Sequence, residues 1–357
     1  MVARDLGTVE YLPMLSVRPA EMLALRELPE RDKDLMLPFF QLRPWVSAAR
    51  LKNAIDKLTE AYGDRPYFIS LAEPEALTTR RDVHDELDRL RMPDNGFSAW
   101  CDFVEERQNL IPSLQLTDVT QFDQQAERMS NFGRGAIVHI EQSAFQFSRQ
   151  IVSRTAAHTE LGKGVVFVLD FGRQNKTFLL HQAEAVGLAR AILDIAPNAR
   201  IALSASSFPE SFTSISSQSI YEREVFEGVR ASIGDAILYS DRGSARAERQ
   251  TGGGGSPAPR IDFAASKDWY FFRSDESDDR AGAYRDQALA LMEDEKVWDP
   301  ALRVWGTQMI ERTALGDEGA IVSPARATAA RINIHLHQQT FYGNPSKLYD
   351  TDEDWVD

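Results

Sequence analysis

A single cysteine, Cys101, rules out an internal disulfide, and its neighbours Trp100 and Phe103 mark it as small core filler rather than a nucleophile. No apolar run reaches the roughly 18 residues a membrane-crossing helix needs, and no charged-then-apolar leader follows Met1. The expectation is a cytoplasmic protein that does not enter a membrane. Basic residues are in the minority: 40 Lys and Arg stand against 54 Asp and Glu, a formal net charge of −14. Binding to a nucleic-acid backbone rests on cations displacing condensed counterions, so this balance disfavours nucleic acid as a partner.

Several signatures are also missing. No Gly-x-Gly-x-x-Gly follows the first strand-like run, which removes the fingerprint of dinucleotide binding. There is no Cys pair, no His-Glu-x-x-His and no Asp-rich calcium loop, and no Gly-x-Ser-x-Gly announces a nucleophilic serine. Neither a metal nor a cofactor is expected. His335 and His337 invite a metal reading, but they lie in a helical stretch where residues two apart do not share a face.

What the chain does have is an ordinary globular composition, 43% hydrophobic and 26% charged, over 357 residues. Eight short apolar runs recur, at 10–17, 35–42, 66–72, 109–117, 135–141, 164–171, 200–206 and 236–241. Several are apolar throughout instead of alternating, as strands covered on both faces require. Between them, stretches such as "AARLKNAIDKLTEAY" and "FLLHQAEAVGLARAILDIA" carry apolar residues at three- and four-residue spacing. Eight such alternations predict an α/β fold, a closed (β/α)8 TIM-like barrel over residues 1–248.

Beyond the eighth run the pattern changes. "RQTGGGGSPAPR" reads as a flexible loop, followed by a hairpin around "RIDFAA" and "DWYFFRS" and by helices near 281–296 and 319–340. Residues 249–345 are therefore expected to pack on the barrel as an appended hairpin and helices, and 346–357 to form an acidic tail.

In a parallel barrel the carboxyl ends of the strands share one mouth. Those ends supply Ser16 and Arg18, Gln41 and Arg43, Ser70 and Glu73, Gln115 and Asp118, His139 and Glu141, Asp170, Ser204 to Ser207, and Asp241 with Arg242. A carboxylate after the buried run "VVFVL" needs a cationic partner, so Asp170 is expected beside Arg223, Arg242 or Arg273. That pairing reads equally as a site for an anionic ligand or as an ion pair that locks loops together. Ser206 and Ser207 admit two readings also: ligand hydroxyls in the mouth, or partners for backbone groups at a sharp turn fixed by Pro209.

In order along the chain, "YLPMLSVRPAEMLAL…LPFFQL", "FVLDF", "SSFPES", "YEREVFEGV", "YSDRG", "DWYFFR" and "ARINIHL" resemble the beta family, named after a protein of a satellite bacteriophage and spread on bacterial mobile elements. The most specific pieces are Ser207-Phe208-Pro209, Glu222-Arg223-Glu224, Ser240-Asp241 and Arg331-x-Asn333-x-His335. The resemblance implies a role in phage–host conflict, as a binding or regulatory component of an antiphage defence system. Its partner would be a protein of the same defence locus or a phage protein. Ser16, Gln41 and Ser70 stand where relatives carry a lysine and two acidic residues, which removes charge from the mouth. The competing expectation is a barrel hydrolase or lyase acting on a small phosphorylated or anionic substrate. In it Asp170 and Asp241 are the catalytic acid and base, and Ser206, Ser207, Glu222, Arg223, Arg242, Arg273 and His335 bind the ligand.

Overall fold

A computed structural model describes residues 6–74, 79–212, 214–245, 258–273 and 278–350. The glycine quartet of the expected loop and residues 351–357 of the expected tail lie outside the described residues.

All eight apolar runs contain a strand. β1 (Met14–Ser16), β2 (Phe39–Leu42), β3 (Tyr67–Leu71) and β4 (Leu110–Pro112) form one parallel sheet in that order. The second sheet takes β5 (Ala136–Glu141), β6 (Val165–Arg173) and β7 (Arg200–Ser206). After β7 the chain makes the short β8 (Ser217–Ser219), and β9 (Ile237–Asp241) then completes the second sheet beside β7. Helices connect successive parallel strands, as a parallel pairing demands. Lys52–Tyr62 buries Ala54, Leu58, Ala61 and Tyr62 on its inner stripe, and Gln182–Ile195 buries Ala185, Ala189 and Ile192.

The expected closed barrel is not what forms. The eight strands make two separate four-stranded parallel sheets, and where the sheets meet only the isolated bridges Tyr11↔Tyr239 and Ser113↔Ile137 are present. The seams carry few bonds: Leu12 N to Tyr239 O at 2.9 Å and Tyr239 N to Glu10 O at 3.3 Å on one side, and Leu114 N to Ile137 O at 3.0 Å on the other. Pro13 and Pro112 stand at these seams and have no N–H to extend a ladder.

Both bridges are parallel, so the carboxyl ends of the two sheets lie at a common edge. Side chains from both sheets fill the space between them: Met14, Phe39, Phe68, Ile111, Ile137, Val166, Val168, Ala202 and Leu238 belong to one buried cluster. Their strand neighbours Leu15, Phe40, Ile69, Val138, Phe167, Leu169, Leu203 and Tyr239 belong to a second cluster, between sheets and helices. Burial on both faces explains why the runs are apolar without alternation.

The predicted hairpin is present as β10 (Arg260–Ala264) and β11 (Asp268–Arg273), paired antiparallel. β11 also pairs with β8, so the loop after β7 contributes a strand to the appended unit. Phe208, Phe212 and Ile220 correspondingly share a hydrophobic cluster with Trp269, Phe271, Tyr284, Ile310 and Ile334. The long helix Pro324–Thr340 runs between this unit and the parallel sheets, buried over most of its length.

Candidate functional site

Strand parity sorts the polar residues of the carboxyl ends. In β6, Val168 faces the space between the sheets and Leu169 the helices, so Asp170 faces inward; in β9, Leu238 faces inward and Tyr239 outward, so Asp241 faces outward. The two carboxylates expected to act as an acid–base pair therefore stand on opposite faces of one sheet. The single mouth anticipated for them does not exist.

The inward group is compact. His139 Nε2 lies 2.8 Å from Asp170 Oδ2, Arg242 pairs with the same oxygen through Nη2, and Gly172 N donates to Oδ1 at 3.0 Å. Burial by itself raises a carboxyl pKa; here the Arg242 charge and the His139 and Gly172 hydrogen bonds outweigh it and hold Asp170 down at about 2. Because Asp170 is ionised, His139 Nε2 must carry the hydrogen of their bond. The side chains of His139 and Arg242 keep 16% and 12% of their exposure, whereas Asp170 keeps 3%. Solvent reaches the two partners, not the carboxylate.

The same edge carries more polar groups. Ser16 Oγ donates to Gln41 Oε1 at 3.4 Å, and Asp170, Ser204 and Ser240 stand in register across β6, β7 and β9. Arg18 and Arg43 follow β1 and β2, and Glu21 lies close enough to both to feel their charge. Burial raises the Glu21 carboxyl, with Arg18 the strongest opposing influence.

The outward group is a buried polar layer under the helix Pro324–Thr340. Asp241 accepts from Tyr11 Oη and Gly243 N, both at 2.8 Å, and lies 2.7 Å from His335 Nε2. Burial opposes its ionisation, but the His335 charge and these hydrogen bonds hold it below the usual carboxylate range. Trp269 stacks on the His335 ring at 6.2 Å. Along the helix, Arg331 pairs with Asp262 of β10, and Asn333 receives Gly306 N at 2.9 Å and donates to Ala24 O at 3.0 Å. His337 Nδ1 meets Asp32 at 2.6 Å. Gln339 accepts from Arg223 Nε and Nη2 at 2.9 and 2.6 Å. These residues are two apart, each turned about 200° from the last, so they radiate to different elements. His335 and His337 accordingly have separate carboxylate partners.

Four more expected ligand residues belong to this layer or its surroundings. Arg223 was expected to reach Asp170, but it lies over the Tyr239 ring at 3.3 Å and the Tyr342 ring at 4.0 Å. Glu222 accepts from Ser207 N and Oγ, and Ser207 Oγ in turn accepts from Tyr221 N at 3.1 Å, so this serine ties β7 to the start of the helix Tyr221–Ile233. Burial pushes the Glu222 carboxyl up to about 7 despite the Ser207 bonds. Ser206 Oγ donates to Ala245 O at 2.9 Å. Arg273, at the end of β11, is exposed beside Arg260 in the hairpin register. Of the residues singled out from sequence, the structure brings Asp170, Arg242 and His139 together, and separately Ser16 with Gln41, Asp241 with His335 and Ser207 with Glu222.

Tyr11, the second partner of Asp241, was not anticipated. Its signal was parity: counting back from Tyr239 and Asp241 on one face leads across the seam bridge to Tyr11.

The family model for the beta protein matches residues 11–341. The chain belongs to the beta protein family. Protein beta of Enterobacteria phage P4 is 26% identical over 342 residues, covering 92% of each chain. The expected family resemblance is thereby shown, and the match spans both parallel sheets, the appended hairpin and the long helix. In this beta family member the pieces that carried the resemblance fall largely in the buried layer: Ser207, Glu222, Arg223, Asp241, Arg331, Asn333 and His335 each hold one element to another. Among the described residues no group of three or more His, Cys, Asp and Glu is placed to hold a metal, and no helix is long and apolar enough to cross a membrane.

Proposed function

We propose that this beta family member is a binding component in conflict between bacteriophage and bacterial host, recognising an anionic group of a defence partner or a phage protein at the carboxyl ends of its strands. The observation that carries this reading is the inward trio. Asp170 is held by Arg242 and His139, and these two partners, not the carboxylate, reach solvent. In open α/β sheets ligands sit outside the carboxyl ends of the strands, where these groups stand. Family membership and a relative encoded by a phage support the biological setting.

The test is phage challenge of bacteria carrying the gene with its genomic neighbours. Arg242→Ala is expected to abolish protection and partner capture; because it also strands Asp170, its melting temperature is measured alongside, and Arg242→Lys, which keeps a charge beside Asp170, is expected to weaken capture with the fold kept. Full protection by Arg242→Ala would sink the reading.

An enzymatic reading on a small phosphorylated or anionic substrate retains one supporting observation, the solvent-reached His139 held by Asp170. In that reading His139 carries the proton. Asp170, held ionised near 2, is poorly suited to donate one at neutral pH, and Asp241 is 1% exposed on the other face. Turnover of a phosphorylated small molecule that disappears in His139→Ala would favour it.

A further inference from the structure

We infer that the turn Ser240–Ser244 at the end of β9 is a subsite for an oxyanion of the phosphoryl type, with Arg242 as its cation. The inference rests on the carboxyl edge being a recognition surface and names the chemistry recognised there.

Unmet hydrogen-bonding capacity marks the place. Ser240 Oγ, Ser244 Oγ and Arg242 Nε are all shielded from solvent and have no protein hydrogen-bond partner. Ser240 is fully buried and Ser244 is 2% exposed. Buried polar groups are ordinarily paired, and each one left over costs stability, so three within five residues of chain call for an explanation. Ser240 faces inward by strand parity, in the Asp170–Ser204–Ser240 row, and Arg242, just past the end of β9, reaches inward to Asp170. Ser204 Oγ donates only to the weak acceptor Met14 Sδ, at 3.0 Å, and is a further hydroxyl in that row.

The backbone agrees. Gly243 and Ser244 both adopt the left-handed region, with φ of 60° and 63°. A non-glycine residue there is strained, and such strain persists where the surroundings hold it in place. It fixes Ser244, whose hydroxyl has no protein partner, two residues along the turn from Arg242.

Arg242 supplies the positive charge. It stands beside Asp170 on an edge that also carries Arg18 and Arg43 and the carboxylates Glu21, Glu73, Asp118 and Glu141, in a protein whose overall charge is −14. Arg242 spends one nitrogen on Asp170 and keeps the rest of its fork. A guanidinium fork with several hydroxyls offers donors in more directions than the two oxygens of a carboxylate use, which suits a tetrahedral group.

Calorimetric titration of the full chain with inorganic phosphate tests the inference, with acetate at matched ionic strength as the comparison. Phosphate is expected to bind and acetate not to. Ser240→Ala and Ser244→Ala are each expected to weaken phosphate binding by about ten-fold while melting no lower than the parent, because each removes a hydroxyl that has no protein partner. Arg242→Lys, which keeps the charge and loses the fork, is expected to weaken it as well. A nucleoside monophosphate that binds more tightly than phosphate supports a phosphoryl group carried on a larger molecule; equal affinity supports free phosphate. No phosphate binding, or undiminished binding in both serine variants, overturns the inference. Loss of protection in Arg242→Ala without phosphate binding removes the oxyanion and leaves the recognition surface, whereas phosphate binding with full protection does the reverse.

Discussion

His335 Nε2 stands 2.7 Å from Asp241 Oδ2 with both side chains shut off from solvent, on the face of the second sheet turned away from Asp170. This contact joins the last long helix to β9 across 94 residues of chain. Removing one partner strands the other in the interior, and such losses cost about 3 to 5 kcal/mol. His335→Ala is therefore expected to lower the thermal midpoint by several degrees, and Asp241→Asn, which keeps a hydrogen-bonding amide, by less. Differential scanning calorimetry decides it; an unchanged midpoint in His335→Ala contradicts the structural role assigned here.

Glu222 makes stability depend on pH. Its carboxyl is raised to about 7 in the folded chain from an ordinary value of 4.5, so the native state holds the proton more tightly than the unfolded chain. Its contribution is fully present below the unfolded value and is lost as pH rises through the folded one. Over that window about 3 kcal/mol is at stake. Glu222→Gln is expected to flatten the decline between pH 4.5 and 7, which denaturant melts at several pH values measure directly.

Asp170 acts in the opposite sense. Its carboxyl sits at about 2, below the ordinary 3.8, so it stabilises the fold above the unfolded value and this contribution is lost as pH falls through the folded value. Asp170→Asn is expected to remove about 2 kcal/mol at neutral pH and to be less sensitive to acid than the parent. Equal acid sensitivity in the two proteins would contradict the Arg242 pairing.

Gly306 lies where the helix Trp305–Ala314 crosses Pro324–Thr340. A Cβ there meets Ala330 O at 2.4 Å, a backbone atom that cannot swing aside. Gly306→Ala is expected to separate the helices and to lose at least 1 to 3 kcal/mol, a typical overpacking cost. Melting temperature reports it, and full stability in the variant would mean the crossing is not this close.

Cys101 is fully buried and burial pushes its thiol up to about 11, so it is neither reachable nor ionised at neutral pH. A water-soluble thiol reagent is expected to leave the native protein unmodified and to label it once denatured. Rapid labelling of the native chain would contradict the reading of Cys101 as core filler.

The strands were legible because their runs are apolar on both faces, and the hairpin because "RIDFAA" and "DWYFFR" are short β-prone pieces. Closure was not, since the seams depend on where Pro13 and Pro112 interrupt the ladder, a matter of register that composition does not carry. β8 was missed because "SQS" has no apolar or β-branched residue, and it is a strand only through pairing with β11. At the candidate site, Asp170 with Arg242 was readable from the need of a buried carboxylate for a cation. The opposite facing of Asp241 was readable too, had Leu238 and Tyr239 been counted in alternation; a uniformly apolar run hides that parity. Asn333 reaches back 309 residues to Ala24 and Gln339 is met by Arg223 from 116 residues away, and no local pattern announces either contact.

The stitching of Pro324–Thr340 has a consequence for synthesis. Its polar side chains fasten to Ala24, Asp32, Arg223, Asp241 and Asp262, so the strands and helices made before it wait for this helix before their fastening is complete. A nascent chain stalled near residue 300 holds both parallel sheets and none of these clasps, and in that interval it is prey for proteases and chaperones alike.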